Sequence, residues 1–199
     1  MNIKNRASEI LQIQNSAISN LEISDEIIKA INKISEMRDK NGRIITTGMG
    51  KAGIIAYKMS ATLSSIGFPS FFVSPAEAGH GDLGRISGED LIIVFSNSGS
   101  TGEVVNMINH LHVLNNNKNF IITICSTEKP KVKTNLVINY GKLHESCVVS
   151  KVPSTSTTVM LVIADILAIT ASESVGLSDK WFKIRHPGGA IGRAYKEGK

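Results

Sequence analysis

Cysteine occurs only twice, at Cys125 and Cys147, which excludes a disulfide scaffold and a cysteine-rich metal motif. In a chain without an export signal, two such residues are expected as free thiols in a reducing cytoplasm. Aromatic residues make up only 5%, and none interleaves with the basic residues as a single-strand nucleic-acid groove requires. No helix-turn-helix pattern occurs, so nucleic acid is not an expected partner. Long apolar runs are missing too. The first segment, MNIKNRASEILQIQNSAISNL, has polar residues throughout and reads as neither a signal peptide nor a membrane span. The longest apolar segment, VMLVIADILAI, is short for a bilayer and carries Asp165. A cytoplasmic protein with no membrane partner is the expectation. Internal repeats, low-complexity segments and linkers are likewise absent.

What remains is an ordinary globular composition: 199 residues, 42% apolar and 20% charged, enough for one well-buried α/β domain and short for two. The formal charge is +5, from 22 Lys and Arg against 17 Asp and Glu. That excess suits an anionic ligand and equally a solvated basic surface. Part of it is local, at Lys129, Lys131 and Lys133 and at Arg193, Lys196 and Lys199.

Apolar residues at helical spacing predict helices over 6–20, where Ile10, Leu11, Ile13, Ala17, Ile18 and Leu21 share a face, and over 25–38, through Ile27, Ile28, Ile31 and Ile34. Ser24 before two acidic residues is a helix cap. From there the chain alternates. RIITT, SFFV, LIIVF, NFIITIC and NLVINY read as strands; 51–66, 101–114, 155–175 and 178–184 read as helices; 75–84 reads as an irregular loop. Short strands apolar on both faces, alternating with helices, predict a three-layer, doubly wound α/β sandwich around a mainly parallel five-stranded sheet. Its ligands belong beyond the carboxyl ends of the strands, near the switch point.

The first loop there is GMGKAG, with Gly48, Gly50 and Gly53 between a strand and a helix. A dinucleotide fold needs an acidic residue at the end of the next strand, yet no acid occurs before Glu77. Nor is this a Walker A loop, because Ala52 follows Lys51 where a magnesium-binding hydroxyl would stand. The second loop, SNSGST, leaves a buried strand through Ser96, Asn97, Ser98, Gly99, Ser100 and Thr101 and enters a helix. One cap needs one hydroxyl, and four are present. Free N–H groups at a helix start with uncharged donors around them suit a phosphate monoester. A third cluster, Ser154, Thr155, Ser156 and Thr157, precedes a long helix and is placed to close the same pocket.

In combination, GMGKAG, PAEAGHGDLG at 75–84, SNSGSTGEV at 96–104, HESC at 144–147 followed by PSTSTT, and RHPGGAIGR at 185–193 resemble the sugar isomerase (SIS) domain family, along essentially the whole chain. Within it the closer likeness is to the arabinose-5-phosphate isomerases, which interconvert ribulose 5-phosphate and arabinose 5-phosphate for Kdo synthesis. Many members of that branch continue into a pair of CBS domains. This chain ends at Lys199, so a single SIS domain over 1–199 is the expectation, with helices over 1–40 ahead of a core over 41–199 and no CBS domains.

The resemblance implies catalytic roles for Lys51, His80, Glu103, Glu145 and His186, a sugar phosphate as ligand, and a homotetramer with active sites shared between subunits. Glu145, in a loop with no evident structural task, is the preferred carbon base if burial raises its pKa. His186 is the candidate for ring opening and His80 for polarising a sugar oxygen. Lys51 offsets anionic charge, and Gly48 and Gly50 shape a wall. Isomerisation through a cis-enediol needs no metal or other cofactor in principle. The alternatives left open are another SIS enzyme, such as a 6-phospho-3-hexuloisomerase, and a non-catalytic sugar-phosphate sensor.

Overall fold

Isoleucine, valine and threonine dominate the five strands, β1 (Ile44–Gly48), β2 (Ser70–Val73), β3 (Leu91–Phe95), β4 (Phe120–Cys125) and β5 (Leu136–Asn139). These stiff, branched side chains favour a pleated surface buried on both sides. All pairings are parallel, in the order β2-β1-β3-β4-β5. The computed structural model describes residues 1–40, 42–149, 151–189 and 193. Residues 190–192 of the RHPGGAIGR segment, and Lys196 and Lys199, lie outside the described residues.

The pleat divides the core into two layers. Ile44, Leu91, Ile93, Phe95, Ile122 and Ile124 face one way, against α2 (Asp25–Asp39), α3 (Gly50–Ser65) and α6 (Thr155–Ser174). Their neighbours Ile45, Ile92, Val94 and Ile121 face the other way, against α5 (Gly102–Leu114) and the short α4 (Pro75–Ala78). Each such fully buried side chain stabilises the fold by about 1.5 to 3 kcal/mol. The three-layer α/β expectation therefore holds, with the parallel sheet in the middle.

Three details depart from the sequence pattern. The first helix, α1 (Ile3–Ser19), buries no residue, and Leu11 is 70% exposed although its spacing puts it on an apolar face. Its ties to the body are partly polar: Arg6 donates to the Ser146 carbonyl, and the Thr158 hydroxyl donates to Gln14. On α2, Ile27, Ile31 and Ile34 are buried, whereas Ile28 turns outward at 46% exposure. The 75–84 segment is not wholly irregular. Pro75 opens one turn of α4, Gly79 and the left-handed Gly81 (φ 119°) end it, and a 3-10 turn follows over Asp82–Arg85.

The apolar run counted short for a bilayer lies inside α6, a 20-residue helix that by length and composition is able to cross a membrane. Here ten of its residues are buried in the protein, among them Val159, Met160, Ile163, Leu167 and Ala171. Helix α7 (Asp179–Arg185) docks at the amino end of the sheet, with Trp181 against Gly67 in the turn before β2 and near Arg38 at the end of α2.

Candidate active site

The strands β1 and β3 are direct neighbours, with Gly48 opposite Phe95 at their carboxyl ends. The helices that follow them leave to opposite faces, α3 into one core layer and α5 into the other. This divergence opens a crevice at the switch point of the sheet. Close packing keeps it in shape. A Cβ at Gly53 would stand 2.5 Å from the Gly48 carbonyl, and one at Gly48 would stand 2.7 Å from the Phe95 carbonyl, so neither position admits a side chain. Gly50, at φ 57°, makes the left-handed turn into α3.

A cavity of about 420 Å³ fills the crevice, within the range of small-molecule sites, about 300 to 1,000 Å³. Met49, Gly50, Lys51 and Ala52 form one wall; Phe95, Ser96, Asn97, Ser98 and Thr101 form the second. Pro153, Ser156, Thr157 and Met160, at the start of α6, form the third. The three sequence clusters thus meet at one place. A larger cleft of about 570 Å³ between α4 and α5 is lined by residues such as Leu83, His110, Val113 and Leu114, and by none of the three clusters.

The SNSGST loop is held by its neighbours rather than by its own helix. Gly99, at φ 61°, accepts from the amides of Lys131 and Val132, and a Cβ there would stand 2.5 Å from Pro130. The Asn97 carbonyl accepts from the Ser126 amide and hydroxyl. Ser98 Oγ accepts from the amide and hydroxyl of Ser100, and the hydroxyls of Ser96 and Thr101 lie 3.2 Å apart. Thr101 takes the cap position of α5 without a side-chain hydrogen bond to the helix. The cap is therefore not where the hydroxyls are spent, and the first amides of α5 remain available to an anion.

Across the cavity, α6 is capped from outside. Glu145, 9% exposed, accepts through one carboxylate oxygen from the Ser154 amide at 2.7 Å, the Ser154 hydroxyl at 3.0 Å and the Ser156 amide at 3.3 Å. Burial alone pushes this carboxyl up, but the donors of Ser156 and Ser154 outweigh it and hold the pKa below the usual carboxylate value. The expected rise toward neutrality does not occur. Glu145 has a structural task after all: it supplies a full negative charge to the amino end of a 20-residue helix. Ser154 in turn accepts from the Ser146 amide and hydroxyl, which knits the HESC loop to α6. The hydroxyls of Thr155 and Ser156 are buried with no partner, and Ser156 lines the cavity. An unpaired buried hydroxyl costs stability unless a ligand satisfies it.

Of the remaining candidates, Lys51 alone reaches the cavity. Lys51 lines it from an exposed position. Glu103 is exposed on the first turn of α5 and His80 is exposed just after α4, its amide donating to the Glu77 carbonyl. Both lie on the carboxyl side of the sheet without lining the cavity. His186 stacks on Phe182 at 3.8 Å between ring centroids, with Nδ1 at 2.9 Å from the Phe182 carbonyl. That places it with α7, at the far end of the sheet. Gly48, Gly99, Ser100, Ser154 and Thr155 support the walls without lining the cavity.

Sequence patterns did not point to Tyr140, whose hydroxyl donates to Asn97 Oδ1 at 2.6 Å. Its only signal was a place at the end of a strand. Among the described residues, no group of three His, Cys, Asp or Glu stands close enough to hold a metal ion.

Comparison with known proteins places these features in a family. The SIS domain family model matches residues 36–171. The arabinose 5-phosphate isomerase KdsD of Francisella tularensis subsp. tularensis is 42% identical over 187 residues, 92% of this chain and 54% of that protein. The chain spans about half the length of the curated relatives it matches. Among solved structures, a Bacteroides fragilis protein described as a phosphosugar isomerase involved in capsule formation superposes with a TM-score of 0.90 at 36% identity, covering 94% of this chain and 99% of that one. An Escherichia coli CFT073 protein in complex with arabinose 5-phosphate superposes with a TM-score of 0.83 at 30% identity, covering 94% of this chain and 100% of that one.

Proposed function

Because the chain belongs to the SIS domain family, we propose that it is an arabinose-5-phosphate isomerase, interconverting D-ribulose 5-phosphate and D-arabinose 5-phosphate. The observation that carries this reading is the phosphate cradle. The open amides of α5, the hydroxyls of Ser96, Ser98 and Thr101, and the unpartnered Ser156 hydroxyl converge on one cavity, with Lys51 on its wall. Uncharged donors with one lysine match a phosphate monoester. The relatives named for arabinose 5-phosphate, and the same sugar phosphate bound in the E. coli protein, support the pentose.

From ribulose 5-phosphate, a base removes a proton from C1 and returns it to C2, while a second proton passes from O1 to O2 of the cis-enediol. Lys51 offsets the charge that builds on the enediolate oxygens. Glu145 is a poor carbon base as placed: its carboxylate is spent on capping α6 and its pKa is held down. We assign the base instead to Glu103, which extends from the first turn of the helix that grips the phosphate. Ring opening of arabinose 5-phosphate falls to a histidine. His186, remote within one protomer, reaches a cavity only from a neighbouring copy, in keeping with a homotetramer that shares its sites; His80 serves from the same side as the cavity. A cytoplasmic setting suits a phosphorylated substrate.

The test is to incubate the purified chain with ribulose 5-phosphate, without added cofactor or metal, and identify any aldose by NMR. Arabinose 5-phosphate is the expected product. Retained phosphosugar binding without turnover would overturn the enzymatic reading in favour of a sensor.

A further inference from the structure

Asn97 stands in the middle of the phosphate loop, between Ser96 and Ser98, and is one of the residues that line the cavity. An amide has two ends, an acceptor oxygen and a two-proton donor nitrogen, and an anionic ligand wants the nitrogen. Which end faces inward is decided by what holds the other. Here Oδ1 accepts from the Tyr140 hydroxyl at 2.6 Å. Tyr140 is itself anchored at the end of β5: its amide donates to the Cys125 carbonyl at 3.0 Å, and its ring packs against the larger core layer. The backbone of Asn97 is pinned separately, by the Ser126 amide at 2.9 Å and the Ser126 hydroxyl at 2.8 Å on its carbonyl.

We propose that Tyr140 is a positioning residue for substrate binding, fixing the Asn97 amide so that its nitrogen donates into the cavity to an oxygen of the bound sugar phosphate. This rests on the function proposed above and adds a residue to it. Burial foremost, with Cys125 and Glu145 nearby, pushes the tyrosine hydroxyl well above its usual pKa. It therefore stays protonated and donating across the neutral range. Without that donor the amide is free to rotate, and half of its orientations offer oxygen to an anion.

The test compares the unaltered chain with Tyr140→Phe, Asn97→Ala and the double variant, by calorimetric titration with arabinose 5-phosphate and by steady-state kinetics from ribulose 5-phosphate. Tyr140→Phe removes one oxygen and keeps the ring, so melting temperature serves as the control for packing. Loss of a single oriented hydrogen bond predicts weaker binding by about threefold to tenfold, with KM rising and turnover at saturation nearly kept. In the Asn97→Ala background the tyrosine change should have no further effect on binding, because nothing is left to orient. An equal loss in both backgrounds, or unchanged affinity in Tyr140→Phe, would overturn the inference while leaving the isomerase reading in place. Failure of the unaltered chain to bind arabinose 5-phosphate would instead overturn that reading, and this inference with it.

Discussion

Replacing Glu145 by glutamine separates a helix cap from a catalytic base. In the folded chain its carboxylate takes three hydrogen bonds from Ser154 and Ser156 at the amino end of α6. Glutamine preserves the shape and one acceptor oxygen but removes the charge. A hydrogen bond to a charged group contributes about 1.5 to 3 kcal/mol against about 0.5 to 1.5 for a neutral one, and the helix end adds about 0.3 to 1 kcal/mol for an anion. A loss of about 1 to 2 kcal/mol follows, allowing for partial compensation by the remaining acceptor. For a chain of this size that lowers the melting temperature by about 2 to 8 °C.

The same comparison has a pH signature. Because the folded pKa of Glu145 lies below its ordinary value, its contribution is complete above the unfolded pKa and is lost as pH falls through the folded one. The gap between wild type and Glu145→Gln should therefore be full at neutral pH and shrink below about pH 4. Thermal melts read by circular dichroism from neutral to acid pH measure it. Turnover in Glu145→Gln should fall by less than about tenfold, since proton-transfer groups typically contribute about 10² to 10⁴. Identical melting at neutral pH, together with a turnover loss of several decades, would refute the capping argument and return the base role to Glu145.

Glu103→Gln should lower turnover by about 10² to 10⁴ with little change in substrate affinity; single-turnover kinetics with ribulose 5-phosphate check it, and full activity would exclude Glu103 as the base. Ser156→Ala removes a hydroxyl that makes no hydrogen bond in the free protein but stands beside the Glu145 carboxylate and helps hold its pKa down, so it should change the melting temperature little while KM rises by about tenfold or more. A destabilised variant with normal KM would contradict the phosphate role. Gly99→Ala places a Cβ 2.5 Å from Pro130 at φ 61°. The left-handed backbone alone costs about 1 to 2 kcal/mol, and the displaced loop should weaken sugar-phosphate binding, as a titration would show.

The architecture was readable because its cause is local. Branched apolar strands of four to six residues alternate with helices, and that order admits few topologies besides a parallel doubly wound sheet. The phosphate loop was readable for the same reason, since a strand, a glycine and a run of hydroxyls at a helix start are consecutive in the chain. The one-turn α4 and the outward Leu11 were not readable. Both depend on what packs alongside: α1 lies against the core through residues such as Ala17 but buries none of its apolar stripe fully.

Glu145 shows the limit most plainly. By sequence it was a glutamate in a loop without a task, nine residues ahead of Ser154; folding brings its carboxylate to 2.7 Å from that residue's amide and lowers a pKa that burial alone would raise. Tyr140 and Asn97 are separated by 43 positions and meet only because β5 and the β3 loop end on the same side of the sheet. Composition and periodicity thus determined the fold class and the anion loop, which are set by neighbours in the chain. Which glutamate is spent on a helix, which hydroxyl is left unpaired and which way an amide points were decided only by tertiary contact, because hydrogen bonds and charge act through distance in space rather than along the chain.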